Sequence, residues 1–309
     1  MGVNCCSCGN EELELISEID CNVPASPGPG FSFTSFSFDP VQLDNIVKLQ
    51  ALWRGYKGRK RATILKLAKD QSAMEPPFKF TSGAVYTGQW KGKLRHGFGV
   101  QVWPDGARYE GYWKEDQANG KGVFTHADKD VYDGEWLNDQ AHGFGTYTQK
   151  NGSCYVGEWK HDRQDGSGKE TWSDGSWFQG QYKNGKKHGS GTYRWADSSY
   201  YEGEWVENII NGQGTYKWVD GRTYAGQWLD GAMHGKGVYS WADGRKYEGE
   251  YKHDKKEGFG VYTWADGKQY HGGWLKGLQH GDADIKYPNG VRRKGEWAEG
   301  KRIKWLDKL

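Results

Sequence analysis

The sequence predicts an all-β repeat fold: one elongated single sheet of stacked β-hairpins, preceded by one basic amphipathic α-helix. Three observations predict it. Aromatic residues recur every 23 residues, glycines stand at fixed offsets from them, and Leu, Ile and Val are scarce. The hydrophobic fraction is 35% and the aromatic fraction 15%, so burial must come from rings rather than from aliphatic helix packing. The 47 glycines follow no three-residue collagen period. No stretch approaches the ~20 apolar residues of a transmembrane helix. Nor does a basic-then-apolar secretory signal open the chain. A membrane-spanning or exported protein is therefore not expected.

The first element is an acylated, flexible N-terminus and linker over residues 1–38. It carries five acidic side chains and no Lys or Arg, a net −5. The chain opens Met1-Gly2-Val3-Asn4-Cys5-Cys6-Ser7-Cys8. The myristoylation pattern asks for Gly after Met and Ser or Thr at the sixth position. Gly2 fits; Cys6 holds the sixth place and Ser7 follows it. Cys5, Cys6 and Cys8 resemble palmitoylation sites, the second signal that one myristoyl chain needs for stable anchoring. The expected outcome is dual acylation at Gly2, Cys5, Cys6 and Cys8, on the cytoplasmic face of a membrane. The competing reading is an unmodified start with a metal-binding cysteine cluster, but three close cysteines without a distant Cys or His make a poor zinc site. With Cys21 and Cys154 the total is five, and an odd count without a signal indicates a reducing compartment. Pro24 and Ser26-Pro27-Gly28-Pro29-Gly30 then mark a linker. Phe31, Phe33, Phe36 and Phe38 make it too apolar for a free tether, so docking on the sheet or on a partner is expected.

The second element is a helix over 39–70. Asp39 suits its N-cap and Pro40 its first helical position. Ile46, Leu49, Leu52, Trp53 and Tyr56 fall on one face. Eight basic residues lie between Lys48 and Lys69 with no acid among them, and the span 39–70 is +5. Such a helix reads as a membrane-surface element or a calmodulin-type target. Leu49-Gln50-Ala51-Leu52-Trp53-Arg54-Gly55-Tyr56-Lys57-Gly58-Arg59 resembles the IQ motif. That resemblance implies that calmodulin or another EF-hand light chain grips Leu49, Gln50, Trp53, Arg54, Gly55 and Arg59. The alternative is a helix that folds back over the first edge of the array.

After a linker at 71–85 comes the array, 86–297. Tyr86, Tyr109, Tyr132, Tyr155, Phe178, Tyr201, Tyr224, Tyr247 and Tyr270 are each 23 residues apart. Arg293 keeps the phase in a partial tenth unit. Two residues on stands Gly in all ten units, as in Gly88, Gly134 and Gly226. Two further on stands Trp or Tyr, as in Trp90, Trp136 and Trp228. These offsets put the three residues on one strand face. A Gly-x-Gly follows in eight units, from Gly97/Gly99 to Gly258/Gly260; the ninth has Gly281 and Ala283. Runs such as Gly191-Thr192-Tyr193-Arg194-Trp195 supply the second strand. Asp105-Gly106, Asp174-Gly175, Asp220-Gly221, Asp243-Gly244 and Asp266-Gly267 are expected to turn the chain with both residues at positive φ. About 19 strands result, and the recurring Gly is expected to let Tyr and Trp rings lie across it. Residues 298–309 are the expected C-terminal cap, through Ile303, Trp305, Leu306 and Leu309.

Tyr132-Asp133-Gly134-Glu135-Trp136 with Gly143-Phe144-Gly145 resembles the signature of the MORN (membrane occupation and recognition nexus) family. The resemblance implies an elongated grooved scaffold that binds a helical or peptide partner or a lipid, often forms a homodimer, and is common in cilia, flagella and the cell cortex. It implies no chemistry of its own.

His96, His142, His188, His234 and His280 precede the Gly-x-Gly position every 46 residues, with Asn119, Asp165, Asn211 and Glu257 between them. Two hairpins span roughly 19 Å, too far for shared ~2 Å metal bonds. These histidines are expected to hydrogen-bond the backbone where a strand begins. No metal, no cofactor and no catalytic residue is expected: no His or acid departs from its repeat role to serve Cys154, and the sequence shows no phosphate-binding loop. Residues 71–309 carry 34 basic and 32 acidic side chains, so nucleic acid is not an expected partner. The leading expectation is a non-enzymatic scaffold. Its alternative, a phosphoinositide or phospholipid-binding module, would call for clustered Lys and Arg that this balanced body lacks.

Overall fold

The structure, a computed structural model, describes residues 75–307. The acylation sites, the Phe-rich linker, the expected helix with its IQ-like residues, and Leu309 lie outside the described residues. The strands, in order, are β1 (Phe78–Lys79), β2 (Val85–Lys91), β3 (Leu94–Val102), β4 (Arg108–Lys114), β5 (Gln117–Thr125), β6 (Val131–Leu137) and β7 (Gln140–Thr148). Next come β8 (Cys154–Lys160), β9 (Arg163–Thr171), β10 (Trp177–Lys183), β11 (Lys186–Arg194), β12 (Tyr200–Val206), β13 (Ile209–Lys217) and β14 (Thr223–Leu229). The last are β15 (Ala232–Ser240), β16 (Lys246–Lys252), β17 (Lys255–Thr263), β18 (Gln269–Leu275), β19 (Leu278–Lys286), β20 (Arg292–Ala298) and β21 (Lys301–Trp305). Each strand pairs antiparallel with the next, so the 21 strands form one continuous meander, and the described residues contain no helix.

The two strands beyond the expected 19 are β1 and β21. The short β1 pairs Phe78 with Tyr86. β21 continues the sheet by pairing Gly295 with Trp305, and the Arg293 and Arg302 guanidiniums stack on the Trp305 ring at 4.0 and 4.2 Å. The C-terminal segment thus covers the edge of β20 by strand pairing and through Trp305. Ile303 and Leu306, expected to help, are exposed.

Two kinds of reversal alternate, and the Asp-Gly pairs are not where both central residues take positive φ. At Trp103–Ala107 the Trp103 N–H donates to the Ala107 carbonyl (2.9 Å) and the Gly106 N–H to the Trp103 carbonyl (3.0 Å). Only Gly106, at φ 85°, is left-handed, while Asp105 Oδ1 accepts the Ala107 N–H. This is a three-residue loop with a glycine bulge. The two-residue turns lie at the opposite edge, after each seven-residue strand. Glu115-Asp116 (φ 50° and 68°), Asn138-Asp139 (51° and 64°) and His161-Asp162 (50° and 62°) take positive φ at both places. Each pays for that conformation with bonds to the preceding hairpin: Asp139 Oδ1 accepts the Ala118 N–H at 2.7 Å, and its own N–H donates to the Ala118 carbonyl at 3.0 Å. Asp116 holds Arg95 and Asp162 holds Ala141 in the same way. Repeats are therefore clipped at the turn edge as well as through the ladder, and stability is expected to pass from neighbour to neighbour.

Candidate functional site

The signature residues build one face of the sheet. Tyr86, Tyr132 and Tyr224 are buried, as are their counterparts along the array. Gly88 pairs with Gly99, Gly134 with Gly145 and Gly226 with Gly237 across each hairpin. The Tyr ring lies over that glycine pair: a Cβ on Gly134 or on Gly145 would come within 2.5 Å of Tyr132 Oη. Contrary to the expectation from sequence, the Trp ring does not share that space. Trp136 Nε1 instead donates to the Gly122 carbonyl of the preceding hairpin (3.0 Å), and Trp228 Nε1 to that of Gly214 (3.1 Å). Trp90 meets Tyr86 edge-on at 5.0 Å. The Tyr hydroxyl is satisfied locally: Tyr132 Oη donates to the Glu135 carbonyl at 3.0 Å and Tyr224 Oη to that of Gln227 at 2.9 Å. Burial pushes Tyr86 and Tyr270 up to about 12, and Tyr132, Tyr155 and Tyr224 higher still.

A second aromatic row runs along the ends of the nine-residue strands; the sequence marked Tyr193 and Trp195 in one such run but not the continuation of the row from repeat to repeat. Trp172, Tyr193, Trp195, Tyr216, Trp218, Tyr239, Trp241, Tyr262 and Trp264 form an unbroken ladder with neighbouring ring centroids 4.5–5.8 Å apart. All but Tyr239 are half-buried. Among the described residues no second layer covers this face. Cations edge it: Arg222 lies over Trp218 at 5.5 Å, Arg245 over Trp241 at 5.3 Å and Lys268 over Trp264 at 4.3 Å. Lys256 sits deeper, and burial, aided by Arg245, pushes its ammonium down to about 8. Toward the N-terminal side the ladder stops at Trp172, because Glu170 and Gln149 stand where neighbouring repeats have rings.

The opposite face is polar and carries the histidines. His142 pairs with Glu135 and His234 with Gln227. The expected backbone hydrogen bonds do not form at three of them: Nδ1 of His96, His142 and His234 is buried with no hydrogen-bond partner among the described residues. Their alternation with shorter polar residues follows from the next two-residue turn. Asp165 accepts the Asn184 N–H (3.0 Å) and Glu257 the Lys276 N–H (2.9 Å). His142 and His234 instead pack their rings on His161 and His253 of the next turn, at 5.9 and 5.1 Å. No group of three or more His, Cys, Asp or Glu side chains is placed to hold a metal among the described residues.

A meander of identical hairpins, clipped at one edge and aromatic on one face, defines an open β-hairpin repeat protein. The MORN-repeat family model matches residues 86–108, 109–131, 132–154, 155–177, 178–200, 201–221, 224–244, 247–269 and 270–292. The chain belongs to that family. A search of curated proteins finds no match. Among solved structures, the chain is similar to the wild-type TCP10 domain of Danio rerio CPAP in complex with a peptide of Danio rerio STIL, at 13% identity and a TM-score of 0.41, covering 75% of this chain and 99% of that one. It is also similar to the TCP domain of Drosophila melanogaster SAS-4 (dCPAP) with a proline-rich motif of Ana2, at 10% identity and a TM-score of 0.30, covering 59% and 86%. At these scores nothing beyond the likeness itself is carried over.

Proposed function

We propose that this protein is a non-enzymatic, membrane-anchored scaffold whose MORN array docks a partner protein on the half-buried aromatic ladder. The single observation that carries this reading is the ladder, a continuous ring surface with its own flanking cations. An amphipathic helix with an apolar stripe and acidic flanks complements it. In this reading the N-terminal segment supplies the address, through acylation at Gly2, Cys5, Cys6 and Cys8, and the IQ-like residues recruit an EF-hand light chain. The cilium or the cortical cytoskeleton is the setting that the family resemblance favours.

The Trp195→Ala, Trp218→Ala, Trp241→Ala triple variant is expected to lose partner affinity by more than 100-fold, since each buried ring contributes about 2 kcal/mol or more. Native pull-down with mass spectrometry of wild type and variant reads this directly. An unchanged set of captured proteins overturns the ladder as the docking surface. Leu49→Asp with Trp53→Ala is expected to abolish calmodulin binding of the full chain while its melting temperature stays put, because both residues precede the array. Calorimetry with and without a calcium chelator checks it, and undiminished heat from the variant refutes the light-chain reading.

A further inference from the structure

Lys256 on β17 points into a box of four rings, its ammonium 5.2 Å from the Trp241 centroid, 5.0 Å from Tyr247, 4.8 Å from Tyr262 and 4.7 Å from Trp274. Such a box attracts cations through the negative faces of its rings. At the same place in other repeats, Lys187 lies 4.9 Å from Trp172 and Arg95 4.2 Å from Trp113. Six repeats before Lys256 the box recurs as Trp103, Tyr109, Phe124 and Trp136. Trp103–Phe124, Phe124–Trp136 and Tyr109–Trp136 are 5.6, 6.2 and 5.3 Å apart. The matching distances around Lys256 are 5.8, 6.2 and 5.1 Å. The residue beneath this box is Ala118, which ends at Cβ and supplies no cation. Its ring planes differ too: Phe124 and Trp136 stand at 70°, Tyr262 and Trp274 at 46°.

The next repeat has the same character. Ala141 lies beneath Tyr132, Tyr147 and Trp159, with Tyr132–Trp159 5.1 Å and Tyr147–Trp159 6.3 Å apart. The Asp130 carboxylate at its rim accepts the Tyr147 hydroxyl at 2.6 Å. That bond, with one from the Lys150 N–H, holds the carboxylate below its usual range and therefore charged. Two adjacent boxes thus offer ring faces and an anion, about 10 Å apart by strand spacing.

We infer that these two boxes bind Lys or Arg side chains from this chain's own segment 48–69. That segment carries eight cations and no acid. It is tethered beside the boxes: the Glu75 N–H donates to the Gly88 carbonyl on β2 at 3.2 Å. From β2, Ala118 on β5 is three strand steps away, roughly 14 Å, and Ala141 on β7 five steps, roughly 24 Å. Lys66 precedes Glu75 by nine residues, a reach of about 30 Å when extended. A short tether also gives the cations an effective concentration near the millimolar range. Arg54 and Arg59 belong to the IQ-like pattern, so docking on the array and capture by an EF-hand lobe compete for one segment. That consequence rests on the light-chain reading; the docking itself does not.

The test is the full-length Ala118→Lys, Ala141→Lys variant, which fills both boxes from within. Lys187 and Lys256 show that the position accepts lysine. Limited trypsin digestion at low salt, read by mass spectrometry, follows cleavage between residues 48 and 69. The variant is expected to be cut about tenfold faster there than wild type, with an unchanged melting temperature. Should it fail to fold, Ala118→Leu with Ala141→Leu fills the boxes without charge, as Ile210 and Met233 do in their repeats, and the same comparison decides. Equal cleavage of folded wild type and variant overturns the proposal. If cleavage is equal but a captured partner is lost, the boxes belong to another protein's cations, and the assignment to this chain fails. The ladder tryptophans lie in other repeats, so failure here is separable from failure of the docking function.

Discussion

Raising the pH is expected to unfold the array cooperatively within roughly one unit above pH 10. The signature tyrosines donate their hydroxyls to backbone carbonyls inside the hairpins, as Tyr86, Tyr132, Tyr155 and Tyr247 do at 2.9–3.0 Å. A phenolate there would lose its bond and its solvent together. In an unfolded chain these groups ionise near 10. In the fold burial raises Tyr86 and Tyr270 to about 12 and Tyr109, Tyr132, Tyr155, Tyr201, Tyr224 and Tyr247 further. A raised folded pKa gives stability that is fully present below the unfolded value and is lost as pH climbs toward the folded one. Each such tyrosine removes about 1.4 kcal/mol per pH unit above 10. Several acting together exhaust the stability of an ordinary domain within about one unit. Lys256 works in the opposite sense. Its ammonium is pushed down to about 8, so its burial becomes less costly between pH 8 and 10. It is one group against many and does not reverse the outcome. Circular dichroism and near-ultraviolet absorbance followed together check this: strand signal is expected to vanish in the same step in which phenolate appears. Phenolate appearing near pH 10 with the strands intact would refute the burial argument.

Replacing Gly134 and Gly157 by Val is expected to be the most damaging pair of single-residue changes. Neither glycine has positive φ, so the effect is purely steric. A Cβ on Gly134 would lie 2.5 Å from Tyr132 Oη and 2.6 Å from Gly145 Cα; on Gly157, 2.5 Å from Tyr155 Oη and 2.6 Å from Gly168 Cα. Backbone stands on one side and a buried, hydrogen-bonded ring on the other. Overpacking of this kind costs about 3 kcal/mol per site. Two sites in adjacent hairpins should lower the melting temperature by more than ~10 °C. Thr146→Val, on the polar face of the same hairpin, is the control and should move it by a degree or two. An unchanged melting temperature for the glycine pair would mean that the Tyr rings do not need the space.

The array was legible in the sequence because its period is carried by side chains whose roles are local. Tyr, Gly and Trp two residues apart can share a face only on a strand. The doubled glycine fits only where a ring crosses a hairpin. The turns were half legible. Asp105-Gly106 does reverse the chain, but as a bulged loop, and the turns with two positive φ values carry Glu115-Asp116 or His161-Asp162, which no glycine announces. What makes them possible is a bond to another hairpin, Asp162 Oδ1 accepting the Ala141 N–H at 2.7 Å.

The sequence by itself determined the repeat length, the hairpin in each full repeat and the residues that fill it, since all of these depend on contacts within some twenty residues. Only the tertiary structure decided how hairpins meet. It showed that Trp136 bonds the preceding hairpin rather than sharing the glycine gap of its own, that β21 extends the sheet edge, and that Trp172 to Trp264 join into one ladder. It also set Ala118 beneath Trp103, Phe124 and Trp136, the counterparts six repeats earlier of the rings that enclose Lys256. Those relations depend on the register between strands, which no residue pattern within one repeat specifies.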